Sequence, residues 1–210
     1  SGVFGEISLT QDNFDVADFP ESLGEFVSGR AFRGGGQRFQ MVIRPGNEIF
    51  QYLVSLTEPH FLDSEYSIGG TAAYRERRFT DHDETRTTGS FSVGRRLGDI
   101  WQAQVGARAE RVELDDIDPT APVDLFLDAG PDNLTSLSLS LTRTTVGSFT
   151  RPGSGSRLEL SLDWVGALGG DFDFFTTEAE YTVFATIDED FLGRTSLLKV
   201  NSRVGYICGE

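Results

Sequence analysis

The sequence predicts an all-β chain, an antiparallel meander forming part of a transmembrane β-barrel. Three observations predict it. Apolar and polar residues alternate through most of the chain, as in strands whose two faces meet different surroundings. The longest alternating runs, Trp101 to Leu114 and Phe172 to Ile187, exceed the ~5–6 residues usual in soluble strands and match the ~9–11 that cross a bilayer at a tilt. The polar faces carry Gly, Ser, Thr and Gln more than the Lys and Glu of a soluble surface. A soluble β-sandwich or barrel with long strands shares the alternation; it differs in which face meets water.

The first strand-like run is Val3 to Thr10, followed by 37–44. In Phe50 to Thr57, Phe50, Tyr52, Val54 and Leu56 oppose Gln51, Ser55 and Thr57. Runs 66–79 and 85–96 come next. In Trp101 to Glu110, Trp101, Ala103 and Val105 oppose Gln102, Gln104 and Gly106. Leu137, Leu139 and Leu141 oppose Ser136, Ser138 and Ser140; run 158–165 follows. In Phe175 to Ile187, Tyr181 and Val183 oppose Glu178, Glu180 and Thr182. In Leu197 to Tyr206, Leu198 and Val200 oppose Lys199, Asn201 and Arg203. These make ten expected strands, with the apolar sets outward toward lipid and Gln102, Gln104, Glu178, Glu180, Lys199 and Arg203 inward. Phe50, Tyr52, Tyr66, Trp101, Trp164, Phe172, Phe174 and Phe175 sit near strand ends, where interfacial girdles are expected.

Connections carry turn chemistry. Pro45-Gly46-Asn47, Leu97-Gly98-Asp99, Arg151 to Gly155 and Gly169-Gly170-Asp171 are tight turns joining sequential antiparallel strands. Pro20 to Val27 is the best helix candidate, with Asp18 before it, and suffices for one or two turns. The long connection, Asp115 to Asn133, is acidic: the stretch from Glu113 to Asp132, both included, holds seven carboxylates and no base.

Composition narrows the function. The 210 residues hold 33 acids and 18 bases, a net charge of −15, which argues against a nucleic-acid partner. The single cysteine, Cys208, rules out an intrachain disulfide or a Cys-rich metal site, and reads as a small lipid- or lumen-facing side chain. No apolar run approaches the ~18 residues of a membrane helix, which does not bear on a barrel. Ser1 to Asp15 shows no basic start, apolar core or cleavage site of a signal peptide, and the chain begins and ends in strand-like runs. We therefore expect a single truncated domain, residues 1–210, cut from a longer barrel.

Catalytic patterns are weak. His60 falls in a turn, and Asp81-His82-Asp83 reads as a solvated loop tip rather than an acid/base pair, which needs a further positioned carboxylate. Gly34-Gly35-Gly36 lacks the Lys-Ser/Thr of a phosphate loop, and the acidic loop lacks the spacing of a calcium loop. No enzyme, cofactor or metal is expected.

Three segments, Phe4 to Phe14, Gln51 to Asp63 and Phe149 to Leu158, resemble the BamA-like outer-membrane protein assembly factors of the bacterial surface antigen superfamily. In that family a strand ends in Gln/Glu-x-Asn-Phe/Trp, here reaching Asn13 and Phe14. A strand two further on ends in Thr-(Asp/Glu/Asn)-Pro-(Tyr/His/Trp)-Phe, here Thr57, Glu58, Pro59, His60 and Phe61. A later turn of the form Phe-Pro-x-x-Gly-Ser-Arg corresponds to Pro152, Gly155 and Arg157. On their own chemistry these are turn formers: Pro59 cannot donate a ladder hydrogen bond and so ends a strand. A contact with partner proteins at the rim is the other reading. The resemblance implies the second through eleventh strands of a barrel of about sixteen, with the three motifs on the periplasmic side. It implies residence in the bacterial outer membrane and a non-enzymatic role in folding and inserting other β-barrels. The partners implied are outer-membrane lipid, nascent outer-membrane β-barrel proteins and accessory assembly lipoproteins. A secretion transporter or passive porin shares the barrel, and a soluble β-barrel binding module shares the alternation. The segment Asp15 to Gly36 departs from the family in being longer and more acidic than the turn expected there.

Overall fold

Alternation over runs this long leaves one stable outcome, strands paired edge to edge in sequence order, because each neighbour satisfies the backbone groups of the last. The computed structural model describes residues 3–19, 22, 31–120, 126, 130–147, 154–189 and 195–209. Ten strands form one antiparallel sheet in the order β1 to β10. They are β1 (Ile7–Phe14), β2 (Gln37–Arg44), β3 (Ile49–Glu58), β4 (Tyr66–Arg78), β5 (Asp83–Leu97), β6 (Trp101–Asp115), β7 (Gly130–Thr144), β8 (Gly155–Val165), β9 (Phe174–Glu189) and β10 (Thr195–Gly209). A 3-10 turn, Phe61–Asp63, lies between β3 and β4. β1 and β10 do not pair with each other, so the sheet is open.

The sheet is staggered. Partners followed across it run Cys208, Phe175, Trp164, Leu137, Ala107, Phe91, Gly70, Leu56, Phe39, Gln11. This line leaves β10 at one rim and reaches β1 near the other. Such shear is what tilted strands need in order to curl into a barrel.

Register also fixes the faces. Leu139 pairs with Val105 and Leu162, while Ser138 pairs with Gly106 and Asp163. Among the described residues, every strand residue that is buried, Val42, Gly94, Glu110, Thr182 and Phe184, lies on the Ser138 face. The apolar face is the open one: Leu139 is 50% exposed and Val105 55%. A soluble sheet does the reverse. The sheet therefore curls around its polar side, and the leucine stripe of β7 lies in no closed core, as the sequence predicts.

On β4 to β7 the outward face divides by height. Tyr66 and Tyr74 bound the apolar stretch of β4, and Trp101 and Ala109 that of β6. Beyond these the same face turns charged, with Arg78 bonded to Glu76 at 2.8 Å and Arg111 to Glu113 at 2.5 Å. The 13- to 15-residue strands thus exceed the ~9–11 of a crossing, and the surplus stands clear of the apolar band.

Four expectations change. The first strand begins at Ile7, not Val3; Phe4 makes only an isolated bridge to Gly46. The cause is Pro45, whose carbonyl accepts from the Gly5 N–H at 2.8 Å but which has no N–H to continue the ladder. Phe174 pairs with Val165 and Gly209 on the polar face, so it belongs to no outer girdle. Ile187 falls at a register shift between Ser196 and Leu197 and leaves the alternation. His82 is no solvated tip: its ring stacks on Phe79 at 4.5 Å, with Nδ1 2.9 Å from Asp81 Oδ1. The helix candidate Pro20 to Val27 lies, apart from Ser22, outside the described residues.

Candidate functional site

The residues of the first two motifs share one rim, which carries the connections β1–β2, β3–β4, β5–β6, β7–β8 and β9–β10. At the first, the register shifts between Gln11 and Phe14, so that Asp12 and Asn13 bulge. A bulge re-aims the side chain after it. Phe14 thereby joins the apolar face and stacks on Phe39 at 4.7 Å and Phe32 at 5.3 Å. Asn13 holds the turn: its carbonyl accepts from Gly34 N–H at 3.2 Å and its Oδ1 from Gly36 N–H at 3.0 Å.

At the second, Thr57 pairs with Arg38 and Gly69, and Glu58 with Ile68. Glu58 Oε1 accepts from the His60 N–H at 3.3 Å. Pro59 follows the last strand residue, and the chain closes through Phe61–Asp63 with Leu62 at φ 53° and Asp63 at φ 54°. Left-handed backbone at a leucine is costly, and is held here by Asp63 N–H donating to His60 O at 3.0 Å and Ser64 N–H to Phe61 O at 3.2 Å. Leu62 is 82% exposed at this tip.

The third motif splits. Pro152 lies outside the described residues, as does Phe149. Gly155 opens β8, where an added Cβ would sit 3.1 Å from the Thr145 carbonyl oxygen. Arg157 is not at the rim turn: it stands on the inner wall beside Thr144 and Thr182, its Nη2 donating to Glu159 at 2.7 Å.

Among the ion pairs of the described inner wall, two clusters stand out. In one, Glu110 pairs with Arg86 at 3.0 Å and with Arg108, and Thr88 donates to it at 3.3 Å. Glu84 receives Arg75 at 3.2 Å and Arg86 at 3.4 Å. In the other, Glu180 accepts from Arg203 and from Asn201 at 2.7 Å, while Arg203 lies 3.4 Å from Glu178. The central role of Glu110 was missed in the sequence, yet a signal exists: Arg108-x-Glu110, Arg111-x-Glu113 and Arg157-x-Glu159 all place opposite charges on one face of a strand. Among the described residues no group of three or more His, Cys, Asp or Glu could hold a metal ion.

An apolar face turned outward, a charged and hydrogen-bonded face turned inward, and a sheared antiparallel meander define the wall of a transmembrane β-barrel. The Omp85 superfamily domain matches residues 31–209. The chain belongs to that family, whose place is the bacterial outer membrane. It is 25% identical over 135 residues to outer membrane protein assembly factor BamA of Nitratidesulfovibrio vulgaris, covering 63% of this chain and 17% of the relative. Its fold matches the crystal structure of BamA from Haemophilus ducreyi lacking POTRA domains 1–3, with a TM-score of 0.66 at 12% identity, over 98% of this chain and 40% of that one.

Proposed function

We propose that residues 1–210 are a section of the barrel of an outer-membrane assembly factor that folds and inserts other β-barrels without enzymatic chemistry. The observation that carries this reading is the Omp85 match over 31–209, supported by the BamA relative. The physical logic is that nascent strands cannot enter lipid with unpaired backbone groups. A barrel that opens along a seam offers an edge on which those groups pair. The section described here is wall and scaffold. Its motif rim, with Asn13, Phe14 and Thr57 to Phe61, faces the periplasm, where nascent barrel proteins and accessory assembly lipoproteins approach. The net charge of −15 disfavours a nucleic-acid partner.

The test is depletion of the full-length protein in its host, followed by reconstitution in liposomes with an unfolded client barrel. Folded, heat-modifiable outer-membrane proteins are expected to fall on depletion, and client folding to accelerate in the proteoliposomes. Solute flux without client folding would instead identify a porin. Export of a soluble substrate without client folding would identify a secretion transporter.

A further inference from the structure

At the motif rim the outer face carries a groove of ≈ 740 Å³. Its floor is Leu56, Ile68, Gly70 and Phe91, and its walls are the two motif turns, Gly35 to Gln37 and His60 to Asp63. Register places Leu56, Gly70 and Phe91 in one line on the apolar face. The dent exists because Gly70 has no side chain: a Cβ there would meet nothing closer than the Ser90 carbonyl oxygen at 3.9 Å. Among the described residues the lining holds two carboxylates, Glu58 and Asp63, and no lysine or arginine. Glu58 is the odd member of its stripe. It follows Phe50, Tyr52, Val54 and Leu56 outward on β3, and pairs with Ile68.

We propose that this groove binds one phosphatidylethanolamine molecule, an acyl chain lying over Gly70 and the ammonium between Glu58 and Asp63. The apolar floor suits a chain, and an outer-face carboxylate at the edge of the apolar band repels net-anionic head groups while attracting the ammonium of a zwitterionic one. An ammonium carries three N–H donors, as a lysine head does; a choline has none and cannot hydrogen-bond the carboxylates. The inference does not depend on the insertase reading, only on the apolar face meeting lipid.

Native mass spectrometry on the full-length protein, released from nanodiscs of equimolar phosphatidylethanolamine, phosphatidylcholine and phosphatidylglycerol, tests it. The expected result is at least threefold enrichment of the ethanolamine lipid over both others in the retained fraction. The double variant Glu58→Gln, Asp63→Asn keeps its heat-modifiable fold and loses the enrichment. Gly70→Leu fills the floor and lowers retention of the ethanolamine lipid. Equal retention of the three lipids, enrichment of the glycerol lipid, or enrichment that survives the double variant overturns the proposal. So does a protein cross-linked at Leu62 with no ethanolamine lipid retained.

Discussion

On β7, Leu137, Leu139 and Leu141 and Ser136, Ser138 and Ser140 share a backbone and differ only in the side of the sheet on which they stand. The leucines are on the open face and the serines on the sheltered one. In a protein folded in water that arrangement would forfeit its hydrophobic stabilisation. It is stable only where the outer solvent is apolar, so the comparison of the two faces identifies the medium as much as the fold. The sharpest way to break it is one substitution on each face. Leu139→Arg puts a guanidinium against the acyl chains and is expected to cost about 2–4 kcal/mol. Ser138→Arg points into the lumen beside Gly106, where the head stays solvated, and is expected to change stability by about 0.5 kcal/mol. A refolding titration of the intact barrel in lipid measures both; a larger loss from Ser138→Arg would mean that the faces are interchanged.

The same contrast holds for charges. Glu110 and Glu113 lie on one strand, and each is paired with the arginine two residues before it. The Glu110 side chain, on the inner face, is 6% exposed and that of Glu113, above the apolar band, 34%. Glu110→Gln leaves Arg86 and Arg108 facing each other with no carboxylate between them. Since hydrogen bonds to charged groups are worth roughly 1.5–3 kcal/mol and the lumen is wet, the expected loss is about 1–3 kcal/mol. Glu113→Gln is expected to cost about 0–1 kcal/mol, as an exposed pair does. Urea unfolding in lipid compares them, and equal losses would show that the inner cluster is no better shielded from water than the rim.

What the sequence made legible follows the same division. Period-two alternation is local and survives any neighbour, so all ten strands and the facing of Leu139, Gln104, Glu180 and Arg203 could be read directly. Features set by a partner strand could not. The bulge at Asp12 and Asn13 exists because three steps on β1 span two on β2; nothing in Gln-Asp-Asn-Phe alone says which face Phe14 takes. Pro45 shortens β1 from across the ladder, from a position far along the chain. Phe174 read as a girdle aromatic because it sits near a strand end, whereas parity sends it inward. The rim groove joins two turns and one glycine from separate strands, so it has no linear signature.

Phe14 offers a smaller test of that point. If the bulge turns its ring onto the outer face, Phe14→Ala loses two stacked contacts and is expected to cost about 1 kcal/mol. Inserting one residue between Gln37 and Arg38 sets three steps on β2 against three on β1, restores plain alternation and should send the ring inward. Quenching by lipid-borne bromine of a fluorophore placed at position 14 reads the direction: the label is quenched in the parent chain and loses quenching on the insertion. Quenching that survives the insertion would show that packing against Phe32 and Phe39, not the bulge, sets the direction.

The smallest effect belongs to a residue on neither face. Asp118 lies past the end of β6, beyond the membrane-crossing part of the sheet, where its N–H donates to the Asp81 carbonyl at 2.8 Å. Its Oδ1 accepts from the Thr120 hydroxyl at 2.6 Å and the Thr120 N–H at 2.7 Å. These bonds favour the carboxylate and hold its pKa below the ordinary aspartate value, the hydroxyl contributing most. Since the folded turn binds its proton less readily than the unfolded chain, the contribution to turn stability is present above the ordinary value and is lost as pH falls through the lowered one. Water surrounds the group, so only the turn responds and both faces of the sheet stay indifferent to that protonation. Carboxyl-carbon NMR titration of the reconstituted barrel is expected to give Asp118 a midpoint below that of free aspartate. Thr120→Val should raise it, leaving the backbone N–H to supply the remaining shift. A midpoint unmoved by Thr120→Val would show that the hydroxyl is not the cause, and would leave the Thr120 N–H as the bond that lowers it.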